Sequence, residues 1–253
     1  MSGVGLSVED RGRVRVVWLD RPERRNALST ALIAALHRTL EEAMAGSAVD
    51  GVVLCGRGPH FSAGVDLTEM AGASAEGILR LIESLRELCA VARRASKPVV
   101  AAVQGGCIGG AFELAMAADF RVASEDAWFA LPEVRVGMPS VIDAALLVHH
   151  VGLGRARELL LTGDRLDSRR AGDWGLVNVL VPDAGALVDA AAALVARVAV
   201  NDPAAIATQK ALIEEWLNLG LDEAIARSTG ALGRAFETGV PQRLCAERLN
   251  RST

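Results

Sequence analysis

An α/β fold with a helical C-terminal region is what this sequence predicts, and three features predict it. Short β-branched apolar runs alternate with helix-period segments through the first half. From Ser140 onward the pattern is almost entirely helical. No linker or low-complexity segment separates the halves, so an α/β core over residues 1–200 is expected to continue into a helical region over 201–253.

The first strand is read at Val14 to Leu19, and the turn Asp20-Arg21-Pro22-Glu23-Arg24-Arg25-Asn26 follows it. Ser29 is the candidate N-cap of a helix through Ala45, with Leu32, Leu36 and Leu40 at helical spacing. Val52 to Cys55 is the second strand, and Gly56-Arg57-Gly58-Pro59 breaks it. Phe61 to Leu67 reads as an apolar loop, Glu76 to Arg94 as a helix, and Pro98 to Val103 as a buried strand. Ala111 to Ala118 is an Ala-rich buried helix, followed by short strands at Phe120–Ala123 and Trp128–Ala130. Helices are expected at Ile142–Val151, Arg155–Thr162 and Ser168–Trp174, with a strand at Leu176–Val181. Residues 184–200, 203–219 and 221–237 complete the pattern as three helices started by Asp183, Asp202-Pro203 and Asp222.

The 253 residues, 51% hydrophobic and 23% charged, are enough for a sizeable core. No apolar run reaches the roughly 20 residues that span a bilayer, and Met-Ser-Gly-Val-Gly-Leu does not read as a secretory signal. A net charge of −4 argues against nucleic acid as the main partner. Cys55, Cys89, Cys107 and Cys245 lie far apart, and His37, His60, His149 and His150 form no His-x-x-x-His pair. A reduced, cytoplasmic protein without a metal site is the expectation.

The chemistry concentrates between Pro98 and Met138. Glycines in two pairs, Gly105-Gly106 and Gly109-Gly110, lead from a strand into an apolar helix that contains one carboxylate, Glu113. The spacing fits neither Gly-x-Gly-x-x-Gly, because Cys107 or Ile108 falls where glycine is required, nor a phosphate loop, because Ala111 follows Gly110. Ser62 is no nucleophile elbow, since His60 stands at the first glycine position. What remains is a glycine turn whose helix-start amides can face a ligand oxygen that gains negative charge, or that simply packs tightly on a neighbour. Glu113 is open to two readings, a buried acid capped by a backbone amide or paired with an arginine such as Arg121, or a catalytic group. Glu133 follows after twenty residues, and two acids whose environments differ can divide acid and base roles.

FSAGVDL, GGCIGGAFELAMAAD and LPEVRVGMP, in that order, resemble the enoyl-CoA hydratase/isomerase (crotonase) family, and DRPERRNAL resembles its coenzyme A-binding segment. The match runs from about Val14 to Pro182. The resemblance implies a spiral of ββα units with a helical C-terminal region that assembles as a homotrimer or homohexamer. It implies an acyl-CoA thioester substrate, with no cofactor beyond the CoA that the substrate carries. The backbone amides of Val65 and Gly110 would hold the thioester oxygen, and Glu113 and Glu133 would handle water and proton. Arg21, Arg24 and Arg25 would approach the CoA phosphates, and Asn26, Ala27 and Leu28 the adenine. Ala63, Asp66 and Leu67 would line the path between, with Gly109, Pro132 and Asp143 in the substrate-binding set. Against the phosphate reading, Arg11, Arg13 and Arg15 alternate like the solvent face of an edge strand.

One stretch departs from the family. Met138-Pro139-Ser140-Val141-Ile142-Asp143 stands where many hydratases have Pro-Gly-Ala-Gly-Gly, which implies a reshaped acyl pocket. Asp143 is either a third carboxylate of the site or a helix N-terminal acid favoured by the dipole. The resemblance therefore implies hydration of a trans-2-enoyl-CoA. Double-bond isomerisation and a catalytically silent acyl-CoA-binding scaffold are the alternatives.

Overall fold

The computed structural model describes residues 3–250. It opens with a hairpin, β1 (Leu6–Arg11) and β2 (Val14–Leu19). β2 is the predicted first strand, whereas β1, with charged Glu9-Asp10-Arg11, carries no apolar run to announce it. Arg11, Arg13 and Arg15 consequently do not share one strand face: Arg11 ends β1, Arg13 lies in the turn, and Arg15 lies on β2. Arg13 pairs with Asp50 at 2.6 Å and Arg15 with Asp10 at 2.9 Å.

Helix α1 (Thr30–Ala45) starts where expected, the Ser29 hydroxyl accepting from the Leu32 amide at 3.2 Å. Its Leu32, Leu36 and Leu40 stripe is buried. β3 (Gly51–Gly56) follows, and then α2 (Leu67–Ala71), one short turn capped by Asp66 that the sequence reading missed. The long helix α3 (Ala75–Arg94) buries Leu81, Leu85, Leu88, Cys89 and Ala92. The central run is β4 (Val99–Val103), β5 (Gly106–Ile108) and α4 (Gly110–Ala117), so part of the expected glycine turn is itself a strand. β6 (Phe120–Ser124), β7 (Trp128–Ala130) and a 3-10 turn at Glu133–Val136 come next. The helix expected from Ile142 begins only at Leu146 (α5, Leu146–Val151), and residues 140–145 are irregular. Then come α6 (Leu153–Thr162), β8 (Leu166–Asp167), α7 (Ser168–Asp173) and β9 (Val179–Val181), the last shorter than the expected Leu176–Val181. Asp183 caps a 3-10 turn, Ala184–Ala186, before α8 (Leu187–Ala199).

Six strands form the main sheet in the order β1-β2-β3-β4-β6-β9, parallel except for the β1–β2 hairpin. A three-stranded sheet orders β5-β7-β8. Val17, Leu19, Val52, Leu54, Val99, Ala101 and Val103 join the core built with α1, α3 and α4. Val16, Trp18, Val53, Cys55, Val100 and Ala102 alternate with them and meet Leu187, Ala191 and Val195 of α8. A parallel sheet covered on both faces explains why its strands read as unbroken apolar runs.

The chain divides into two compact units after Val200. The second contains α9 (Pro203–Trp216), α10 (Leu221–Glu237) and α11 (Val240–Asn250). Asp202 caps α9, accepting from the Ala205 amide at 2.9 Å. Asp222 does not start α10; Gly220 holds that position, and Asp222 lies in the first turn. Within this unit Ala224 and Ala231 are buried, while Trp216, Ile225, Leu232 and Phe236 remain exposed. Among the described residues no single helix is long and apolar enough to cross a membrane.

Candidate active site

The site is built around the passage from β5 into α4. On one side of β5 the loop Phe61–Asp66 runs alongside it, Ser62 and Gly106 pairing backbone to backbone at 3.1 Å. Three residues on, the loop pairs with Leu28 instead: the Leu28 amide donates to the Gly64 carbonyl at 2.8 Å, and the Asp66 amide to the Leu28 carbonyl at 3.1 Å. The intervening Val65 N–H therefore points away from Leu28, toward the side where the loop meets β5. Gly64 makes the switch at φ +85°, and any Cβ there would lie 2.6 Å from the Ile108 carbonyl oxygen. At the start of α4, Phe112 and Glu113 donate to the Gly109 carbonyl. The Gly110 amide, as the first of the helix, has no intrahelical acceptor and carries the positive end of the dipole. Val65 Cγ2 would lie 3.3 Å from a Cβ on Gly110, so the two amides belong to neighbouring residues.

Glu113 sits one turn into α4 and is 2% exposed. Its partner is not Arg121, which donates instead to the carbonyls of Leu176, at 2.6 Å, and Ala118, at 2.8 Å. Glu113 Oε1 accepts two amide hydrogen bonds, from Ile142 at 3.1 Å and Ala144 at 2.9 Å. Burial pushes its carboxyl up to about 7; the Ala144 hydrogen bond opposes that shift and the Glu133 charge adds to it. Glu133, half-buried after Pro132, accepts a hydrogen bond from the Ser140 hydroxyl at 2.8 Å. Its other carboxylate oxygen would lie 2.7 Å from a Cβ on Gly109, whose φ of +56° also excludes ordinary side chains. Glycine at 109 thus gives Glu133 room beside the helix start.

Val65, Gly109, Gly110, Glu113, Pro132 and Glu133 therefore come together. The irregular stretch 140–144, which departs from the family pattern, holds both acids, one through a hydroxyl and one through two amides. Asp143, between those amides, is buried against Arg93 of α3 in an ion pair. It is neither a free third carboxylate nor a helix-start acid, because α5 begins three residues later. Ser140, Arg93 and the amides of Ile142 and Ala144 were not found from sequence. Only the departure itself signalled that the stretch was special.

In the expected CoA segment most side chains turn inward. Asn26 is fully buried, its side chain donating to the Arg57 and His60 carbonyls at 2.9 Å and accepting from the Arg21 amide, so it ties the turn together. Arg21 turns inward, donating to the Ala27 carbonyl at 2.7 Å and to Asp66 at 3.2 Å, so neither Arg21 nor Asp66 projects a free charge. Leu28 is completely buried and Ala27 nearly so, Ala63 is half-buried, and Arg24, Arg25 and Leu67 are exposed.

The family model described as enoyl-CoA hydratase/isomerase matches residues 9–240. A Thermus thermophilus protein that carries the enoyl-CoA hydratase name is 37% identical over 233 residues, 91% of this chain and 92% of its own. The short-chain-enoyl-CoA hydratase of Clostridium acetobutylicum is 32% identical over 243 residues, 91% of this chain and 89% of its own. The crystal structure of an enoyl-CoA hydratase from Bacillus anthracis superimposes with a TM-score of 0.85 at 30% identity, covering 90% of both chains. The likeness spans nearly the whole chain, so the fold is that of the crotonases and the chain belongs to the enoyl-CoA hydratase/isomerase family of enzymes.

Proposed function

We propose that this enzyme hydrates a trans-2-enoyl-CoA thioester to the 3-hydroxyacyl-CoA. The observation that carries the reading is Glu113, buried, held by two amides and raised to about 7, beside a second carboxylate, Glu133. The proposed cycle starts from the pair holding one proton between them, placed on Glu133 when substrate is bound so that Glu113 is ionised. Water attacks the β-carbon and gives a proton to Glu113, while the π electrons move toward the thioester oxygen. The Val65 and Gly110 amides stabilise that oxygen, a contribution of roughly 2.7–4 kcal/mol per donor at such sites. Glu133 then protonates the α-carbon, so one water is added in all. Transfer of the proton from Glu113 to Glu133 through solvent resets the pair.

No organic cofactor or metal takes part in this scheme. The reading extends to a cytoplasmic homotrimer or homohexamer, with the exposed face of α10 as the surface for a second copy. Double-bond isomerisation is the second reading; it needs only a proton shuttle at Glu133, and the elaborate support of Glu113 favours hydration over it. The test is loss of the conjugated thioester absorbance with crotonyl-CoA and longer 2-enoyl-CoAs, the product identified by mass. A gain of one water that disappears in Glu113→Gln and Glu133→Gln is expected. A shifted double bond without mass gain, or full activity in Glu113→Gln, overturns hydration.

A further inference from the structure

The stretch from Ser140 to Ala144 is where the chain leaves the family pattern, and its buried acid, Asp143, pairs outside the site. Amides at 142 and 144 point to Glu113, while the Asp143 carboxylate between them points to Arg93, fifty residues earlier on α3. The two side chains are mostly buried, Asp143 7% and Arg93 17% exposed. Removing one partner of such a pair leaves an uncompensated charge in a poorly solvated place. The peptide that carries both Glu113 donors is thus fixed to α3 by an ion pair, and the backbone beyond it is fixed to α5 by the Leu146 amide on the Asp143 carbonyl at 2.9 Å.

We propose that Asp143 and Arg93 are positioning residues for Glu113: their ion pair anchors the two-amide cradle. This rests on the hydratase reading only in giving Glu113 the role of base; the geometry stands without it. The charged and titratable groups around Glu113 are few. Glu133 faces it from the 3-10 turn, Asp143 from the cradle and Cys89 from α3, with Arg93 and, farther off, Arg86 of α3 beside Asp143. Arg121 and His150 lie toward the other end of α4, at the Ala118 and Met116 carbonyls. Among these Arg93 is the cation paired directly with an acid of the cradle.

Loss of the anchor has a signature that simple packing lacks, because the two amide hydrogen bonds favour ionised Glu113 and loosening them disfavours it. Asp143→Asn and Arg93→Gln combined in one chain remove the ion pair without changing the net charge, so what remains is loss of the anchor. The experiment is carbon-13 NMR titration of the glutamate side-chain carboxyls in the full chain without substrate, the Glu113 signal being assigned by its loss in Glu113→Gln. The midpoint is expected to rise by about one pH unit in the chain carrying both Asp143→Asn and Arg93→Gln. It is expected to stay at the wild-type value in Arg93→Lys, which keeps the charge and serves as the folded control. The acid limb of enoyl-CoA hydration, where present, is expected to move with the midpoint. A midpoint that stays or falls in the double variant overturns the proposal even if hydration is intact. A rise sustains it even if no hydration is found, so its failure and that of the hydratase reading are told apart.

Discussion

Glu113 shows at the residue scale how one position can be costly to the fold and useful to the chemistry. Its carboxyl, near 4.5 in an unfolded chain, lies at about 7 in the fold, chiefly because burial penalises the ionised form. The folded chain then holds the proton more tightly than the unfolded one. Stability is unaffected below about pH 4.5, declines as pH rises through the interval to 7, and stays reduced above it. The full difference is roughly 3 kcal/mol. Glu113→Gln, whose carbonyl can still accept from Ile142 and Ala144, is therefore expected to be about 2–3 kcal/mol more stable than wild type at pH 8 and no more stable at pH 4. Urea denaturation at the two pH values checks this, and an equal gain at both would show that the charge is not the cause. Hydration through ionised Glu113 is expected to weaken below about pH 7 for the same reason. That glutamate could be singled out from sequence, since an acid inside GGAFELAMA needs a reason to be buried. Its actual partners could not, because they are amides 29 and 31 residues away.

At the scale of elements, local signals placed most boundaries and long-range ties placed the rest. Ser29 was legible as a cap because the cap and the amide it satisfies are three residues apart. Ser29→Ala is expected to cost about 1 kcal/mol, read as a lower urea midpoint, with catalysis per folded molecule unchanged. Loss of activity without loss of stability would show that α1 shapes the site more directly than its capping implies. The loop before α5 was illegible for the opposite reason. Ile142-Asp143-Ala144 has helical periodicity, but its amides donate to Glu113 and its acid to Arg93, and these bonds hold the chain out of the helix until Leu146. The side chains of Asn26 and Arg21 are tied up in the same way. Polar residues in a turn look available in a sequence, whereas in the fold they satisfy carbonyls at residues 57, 60 and 27.

For the whole molecule, the assembly proposal rests on α9 and α10, where Ile213, Trp216, Leu217, Ile225, Leu232 and Phe236 are all more than a third exposed. Large apolar side chains grouped on one small helical unit are a feature of protein interfaces. The chain is expected to sediment at a trimer or hexamer mass, and Ile225→Glu with Phe236→Glu to shift it toward monomer. A wild-type monomer at micromolar concentration would remove the trimer and hexamer from the account.

The sequence by itself determined most of the strands and helices, the α/β class and the family, because periodicity, caps and motif order are properties of neighbouring residues. It also marked Glu113, Glu133 and the two glycine turns as the chemical centre. Only the tertiary structure decided what holds those acids. The Glu113 cradle, the Ser140 hydroxyl on Glu133, the Arg93–Asp143 pair and the inward turn of Arg21 join segments up to fifty residues apart. The energy of such contacts depends on burial and on which groups meet, and neither exists until the chain has folded.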